Sequence, residues 1–351
     1  MTGYLVLADG TALEGEFIGP EKTAMGLPAA NTAVVGFQEM ITDPVYKGRI
    51  LVFTYPEVGN VGVTAAFSES SRVQPAAVVV KVLSEYRSHY LSEDSLENLL
   101  ARDGVPCLTG VDTRGLAIHL RDKGELPAAV APAGADREKV RRTLAQMQRP
   151  EFKPCDPPTV PAGKGSPIVA VIDLGIRNSL LRQLTALSTV KLFPHDVDGR
   201  TILKSKPAAV FISDGPSNVL PPERTVETIK ALLGEVPILA CGLGHVALGV
   251  ALGGHAIFLK RGHHGANYPV KNLETARVEV TEQRHSVCLD RESIVADGRV
   301  KLLWENLNDS TVEGILAADA PAIGLQVTLA SPDGTRPNPH IQEFIESLST
   351  S

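Results

Sequence analysis

The run Val236–Leu259 constrains this chain more than any other stretch, because it contains no Asp, Glu, Lys or Arg. Val236-Pro-Ile-Leu-Ala-Cys241 has the length of a buried strand. Gly242 and Gly244 follow with one residue between them, and Ala247-Leu-Gly-Val-Ala-Leu-Gly-Gly254 places apolar residues at helical spacing. This pattern predicts a strand that turns sharply into a helix. At such an elbow the tip residue stands on a strained backbone, its side chain above the sheet, with the next N–H aimed at a developing oxyanion. The tip is Gly242, and glycine brings no reacting atom; Leu243 carries the next N–H. By length alone the run could cross a membrane. Its glycines, His245 and His255 instead favour strand, turn, helix, strand, so no membrane partner is expected.

A chain of 351 residues is expected to hold two or three domains. Its 34 basic and 40 acidic residues leave a net charge of −6 and no long basic run, so no nucleic-acid partner is expected. Cys107, Cys155, Cys241 and Cys288 lie far apart and show no CxxC spacing, which fits a reduced, cytoplasmic setting. The N-terminus lacks the basic and long apolar regions of a secretory signal.

The first part reads as α+β. Leu5–Gly15 has two short strands around Asp9-Gly10, a strong hairpin signal. Ile50–Thr54 and Ala76–Val80 read as further strands. Helices are expected at Ser92–Gly104 with Ser92 as its cap, at Thr113–Lys123 and at Asp136–Gln148. Six prolines between Arg149 and Pro167 then predict an extended linker. After it, Ile168–Ile172, Asn178–Leu187, Ala208–Ile212 and Arg224–Leu233 alternate strand and helix up to the elbow, the signature of a largely parallel sheet. Shorter strands follow at 276–281, 301–304, 314–316 and 322–327, and a closing helix at 340–348. The expected domains are 1–148 and 168–351, joined by the linker 149–167.

Seven motifs carry a resemblance. Asn31-Thr-Ala-Val-Val-Gly-Phe-Gln-Glu39, Thr42-Asp-Pro44, Phe53-Thr-Tyr-Pro56, Gly59-Asn60, Gly110-Val-Asp-Thr-Arg114, Gly262-His-His-Gly-Ala-Asn-Tyr-Pro-Val270 and Asn306-Leu-Asn-Asp-Ser-Thr-Val-Glu-Gly314 resemble the small, glutamine amidotransferase subunit of carbamoyl-phosphate synthase. The resemblance implies an α/β chain: an N-terminal α+β domain, then a class I glutamine amidotransferase-like domain with a mostly parallel central sheet flanked by helices. It also implies a large synthetase subunit as partner in a cytoplasmic hetero-oligomer serving pyrimidine or arginine biosynthesis. ATP and magnesium would be held by that large subunit, and no cofactor by this chain.

Function lives in the site, so the resemblance must be carried over residue by residue. The family's elbow, Gly-x-Cys-x-Gly-His-Gln, has a cysteine nucleophile; here those places hold Ala240, Gly242, Gly244, His245 and Val246. The family's base and orienting acid come from Gln-Phe-His-Pro-Glu. Gln326-Val-Thr-Leu-Ala330 puts Thr328 at the histidine and Ala330, or a deletion, at the glutamate. The substrate pocket is equally altered. Val45 replaces a serine, Asp214-Gly-Pro-Ser217 keeps Gly215 but has Ser217 for a glycine, and Arg284-His-Ser-Val287 replaces Asn-His-Gly-Phe, changing Arg284, Ser286 and Val287. The expected reading is a glutaminase-dead subunit, non-catalytic by itself, that scaffolds or modulates an ammonia-using large subunit.

Two alternatives remain open. Cys241, one residue from the tip, could serve as an unusual nucleophile, although strand alternation turns its side chain to the opposite face. The remodelled pocket could instead hold a small anion through Arg284. His245 is expected to be structural. His263 and His264, adjacent on an extended segment, are not expected to bind a metal.

Overall fold

The computed structural model describes every residue except Lys164, Asp297, Pro332, Asp333 and 349–351. It divides into two compact units: Met1–Arg149 with Lys260–Gly265, and Pro150–Leu259 with Ala266–Ser351.

The strands of the first unit are β1 (Thr2–Leu7), β2 (Ala12–Ile18), β3 (Ala24–Gly26), β4 (Pro28–Asn31), β5 (Ile50–Phe53), β6 (Glu57–Val58), β7 (Ala77–Val79), β8 (Val82–Leu83), β9 (Cys107–Thr109) and β10 (Ala128–Pro132). Eight of them form one sheet in the order β3-β10-β1-β2-β9-β7-β5-β4, and β6 and β8 pair apart. Its helices are α1 (Phe37–Thr42), α2 (Leu96–Arg102), α3 (Thr113–Lys123) and α4 (Arg137–Ala145). Strand alternation sorts the side chains between the two faces. Leu5, Leu7, Ile50 and Val52 pack with Leu116 and Leu120 of α3, whereas Leu51, Phe53 and Val78 pack with α1 and α2. Tyr4 and Val6 pack with Val140 and Leu144 of α4.

Helix α2 starts later than the sequence suggests. Ser95, not Ser92, is the cap, its Oγ accepting from the Asn98 N–H at 3.1 Å. Ser92–Ser95 is extended instead, Asp94 bridging to Val63. A second difference concerns Lys260–Gly265, which the sequence places in the second domain and the fold groups with the first unit. Glu125 holds it there: its N–H donates to the Lys260 carbonyl at 3.0 Å, and its carboxylate accepts from the Gly262 N–H at 3.0 Å. The same carboxylate pairs with the wholly buried Arg49 at 2.6 Å. Glu125→Ala removes an anion from beside a buried cation and is expected to destabilise the chain by about 3–5 kcal/mol. Thermal unfolding would test this; an unchanged midpoint would show the pair to be dispensable.

In the second unit the strands are β11 (Ile168–Asp173), β12 (Thr189–Pro194), β13 (Ala209–Ile212), β14 (Ile238–Cys241), β15 (Ala256–Asn272, its residues 260–265 counted in the first unit), β16 (Val278–Leu289), β17 (Val300–Asn306), β18 (Val312–Ala317) and β19 (Ala322–Leu325). The order is β12-β11-β13-β14-β19-β18-β17-β15-β16. The pairings from β12 through β19 are parallel; β18 and β17 continue antiparallel, so the sheet is mixed. The helices are α5 (Asn178–Leu187), α6 (Gly199–Lys204), α7 (Glu223–Leu232), α8 (Leu243–Ala251), α9 (Arg291–Val295) and α10 (Pro339–Ser347). Ala170, Ile172, Val210, Ile212, Ile238 and Ala240 face α6, α7 and α8. Val169, Val171, Phe211, Leu239 and Cys241 face α5 and α10. No helix among the described residues is long and apolar enough to cross a membrane.

Candidate functional site

The candidate site lies where the parallel strands end, the usual place for chemistry in such sheets. β14 ends at Cys241, and the chain reverses at Gly242, whose φ of 51° and ψ of −119° lie in a region that side chains disfavour. The Gly242 N–H donates to the Leu325 carbonyl of β19 at 3.0 Å, tying the turn to the neighbouring strand. Gly244 lets α8 approach closely: a Cβ there would stand 2.6 Å from the Ile212 carbonyl oxygen and 2.7 Å from that of Ser213. The glycine spacing in the sequence therefore marks two separate needs, a strained turn and a tight contact.

What the sequence reading missed is Asp214. Its Oδ1 accepts from the Gly215 N–H at 2.7 Å and from the Leu243 N–H, at the head of α8, at 3.2 Å. The loop behind it is braced by Ser213, whose Oγ accepts from the Leu174 N–H at 2.9 Å and donates to the Asp214 carbonyl at 2.8 Å. A Cβ on Gly242 would lie 2.0 Å from Asp214 Oδ1 and 2.3 Å from its Cγ. The carboxylate occupies the space that the side chain of any tip residue would need. The available signal was a lone acid in a glycine loop at a strand end, read only for its glycine positions.

Cys241 points the other way. It is 2 % exposed and packs in the apolar cluster of α5 and α10, whereas Ala240 belongs to the cluster under α8. Burial pushes its thiol pKa well above the usual range, and the Asp214 charge adds to the shift, with Arg177 opposing it. A thiol held protonated is a poor nucleophile.

Thr328 follows β19; its N–H donates to the Glu282 carbonyl at 2.9 Å, and its own carbonyl accepts from the Ala330 N–H at 2.9 Å. Neither Thr328 nor Ala330 offers a side chain that titrates as a base near neutral pH. Arg284 is paired within the fold: its Nε donates to Glu282 Oε1 at 2.7 Å. Burial opposes ionisation of Glu282, yet the charge and hydrogen bond of Arg284, with Arg177 beyond, hold its pKa below the usual carboxylate value. The Ser286 N–H donates to the Ser217 carbonyl at 2.9 Å, so these two altered positions form one buried wall. Val246 and Val287 are buried with Leu243 in the cluster under α8. Val45 belongs to the first unit, buried beside Phe37 and Met40, its N–H capped by Asp43 Oδ1 at 2.9 Å.

His245 is fully buried against the backbone of Gly324. Burial lowers its pKa to about 4 despite the nearby Glu313 charge, so the ring is neutral at physiological pH. The motif Asn306–Gly314 serves a buried polar network: Glu313 Oε1 accepts from Thr311 Oγ1 at 2.9 Å and Asn306 Nδ2 at 3.3 Å.

Comparison with known proteins finds two family matches along the chain. Residues 5–130 match the family profile described as carbamoyl-phosphate synthase small chain, CPSase domain, and residues 170–327 match glutamine amidotransferase class-I. The carbamoyl phosphate synthase small chain of Methanopyrus kandleri is 38% identical over 336 residues, covering 93% of both chains. That of Archaeoglobus fulgidus is 38% identical, covering 93% of this chain and 92% of the other. The Listeria monocytogenes small chain is 34% identical, covering 98% and 96%. With both domains matched in order and whole-length relatives above a third identical, the chain belongs to the carbamoyl-phosphate synthase small-chain family.

Proposed function

We propose that this chain is the small subunit of a carbamoyl-phosphate synthase that has lost glutamine hydrolysis, acting as scaffold or modulator for a large subunit that uses free ammonia. One observation carries the reading: the strained tip of the elbow is a glycine, and the Asp214 carboxylate sits where a nucleophile's first carbon would go. Thr328 and Ala330 at the base and acid positions support it. So do the burial and raised pKa of Cys241, which weigh against a displaced nucleophile. Loss of an activated nucleophile alone costs on the order of 10⁶ in turnover in a well-studied hydrolase. The large subunit would supply the ATP and magnesium chemistry, and the pair would form a hetero-oligomer in the cytoplasm.

The test is carbamoyl-phosphate formation by the chain co-expressed with its large subunit, with glutamine or ammonium as the nitrogen source. Product with ammonium and none with glutamine is the expected result; product with glutamine sinks the reading. Cys241→Ala is expected to leave ammonia release from glutamine at the uncatalysed background. A drop from a measurable rate would make Cys241 the nucleophile.

A further inference from the structure

The elbow of the second unit retains more than a vestige of catalytic geometry. Two amides from different elements, Gly215 after β13 and Leu243 at the head of α8, converge on one oxygen of Asp214. That is how preorganised donors meet a developing oxyanion. The tip has a φ of 51° and a ψ of −119°, which glycine adopts readily and a residue with a side chain does not. Here the surroundings include a buried carboxylate, 9 % exposed, on a loop braced through Ser213 and Leu174.

We propose that Asp214 is the residue that closes this elbow, a tethered anion seated on the Gly215 and Leu243 amides that makes glycine obligatory at 242 and leaves the donor geometry intact beneath it. The proposal rests on the reading of the chain as inactive toward glutamine and deepens it. Inactivity then has two locks, the missing thiol and the occupied hole, and replacing the thiol alone cannot reopen the site. The mutual exclusion is steric, because a Cβ at 242 would lie 2.0 Å from Asp214 Oδ1 and 2.8 Å from Oδ2. It is also electrostatic, because a thiolate at 242 would stand against a carboxylate.

A double-mutant cycle on the full chain tests this with Asp214→Ala, Gly242→Cys and the two together. Gly242→Cys alone is expected to lower the thermal midpoint by roughly 5 °C or more, and Asp214→Ala to restore part of that loss, the rest being the strain of a non-glycine residue at a φ of 51°. The second readout is alkylation by iodoacetamide, in which the thiolate forms a C–S bond as the C–I bond breaks and iodide leaves. In the double variant, peptide mapping should find residue 242 alkylated at pH 7 at least about tenfold faster than Cys241, as befits a thiol at a helix N-terminus beside the space that Asp214→Ala vacates. Equal destabilisation by Gly242→Cys in both backgrounds, or failure to fold in both, overturns the proposal. So does a residue-242 thiol as unreactive as Cys241. Because the cycle reads packing and thiol chemistry, it is independent of the nitrogen-source assay. Glutamine use by the native complex would remove the inactive reading without altering the cycle.

Discussion

Gly244→Ala is expected to destabilise the second unit by about 3 kcal/mol or more, although alanine is the better helix former by about 1 kcal/mol. The added Cβ would stand 2.6 and 2.7 Å from the Ile212 and Ser213 carbonyl oxygens. Both are backbone atoms at the end of a parallel strand, so neither can swing aside. Helix α8 would have to lift, loosening Val246, Ala247, Leu248 and Ala251 from their cluster. Gly249→Ala is the control. Its Cβ would meet Leu289 Cδ1, Cδ2 and Cγ at 2.3, 2.5 and 2.9 Å, side-chain rather than backbone atoms, and its cost should be smaller, about 1–2 kcal/mol. Trp304, the chain's single tryptophan, is buried in the second unit and reports unfolding there by fluorescence. Equal midpoints for the two variants would show that the close approach of α8 to β13 is not rigid.

Elements whose signals are local were legible in the sequence. Helices α3 and α5 fall on the residues that the sequence indicates, and the strand-to-helix elbow follows from its glycines. The start of α2 was misplaced because Ser92 and Ser95 are equally good caps until Asp94 pairs with Val63, a contact from another part of the chain. The placement of Lys260–Gly265 was hidden for the same reason, since Glu125 lies far from it in sequence. Within the site, Gly242 at the elbow tip and Thr328 and Ala330 after the last strand could be read position by position. The role of Asp214 could not, because it depends on two loops that meet only in the folded sheet. The pairing of Arg284 with Glu282 was within reach: residues two apart on a strand share a face, and opposite charges there meet.

Acid should weaken the second unit through His245. Its folded pKa is about 4, below the ordinary value of 6.5, because burial disfavours the charged ring more than Glu313 favours it. Between pH 6.5 and about 4 the unfolded chain therefore binds a proton that the folded chain refuses. Stability from this group is fully present above pH 6.5 and declines as pH falls, by up to about 3 kcal/mol at pH 4. His340, packed edge-on against Trp304 at 4.8 Å, is shifted downward by burial too and acts in the same direction. The difference between the native chain and His245→Leu isolates the first histidine, since the carboxylates and His340 are common to both. Urea midpoints followed by Trp304 fluorescence should converge for the two proteins as pH drops from 7 to 4.5, the native chain losing more stability than the variant. Parallel pH curves would mean that folding leaves the ring's pKa at its unfolded value, the Glu313 charge offsetting the cost of burial.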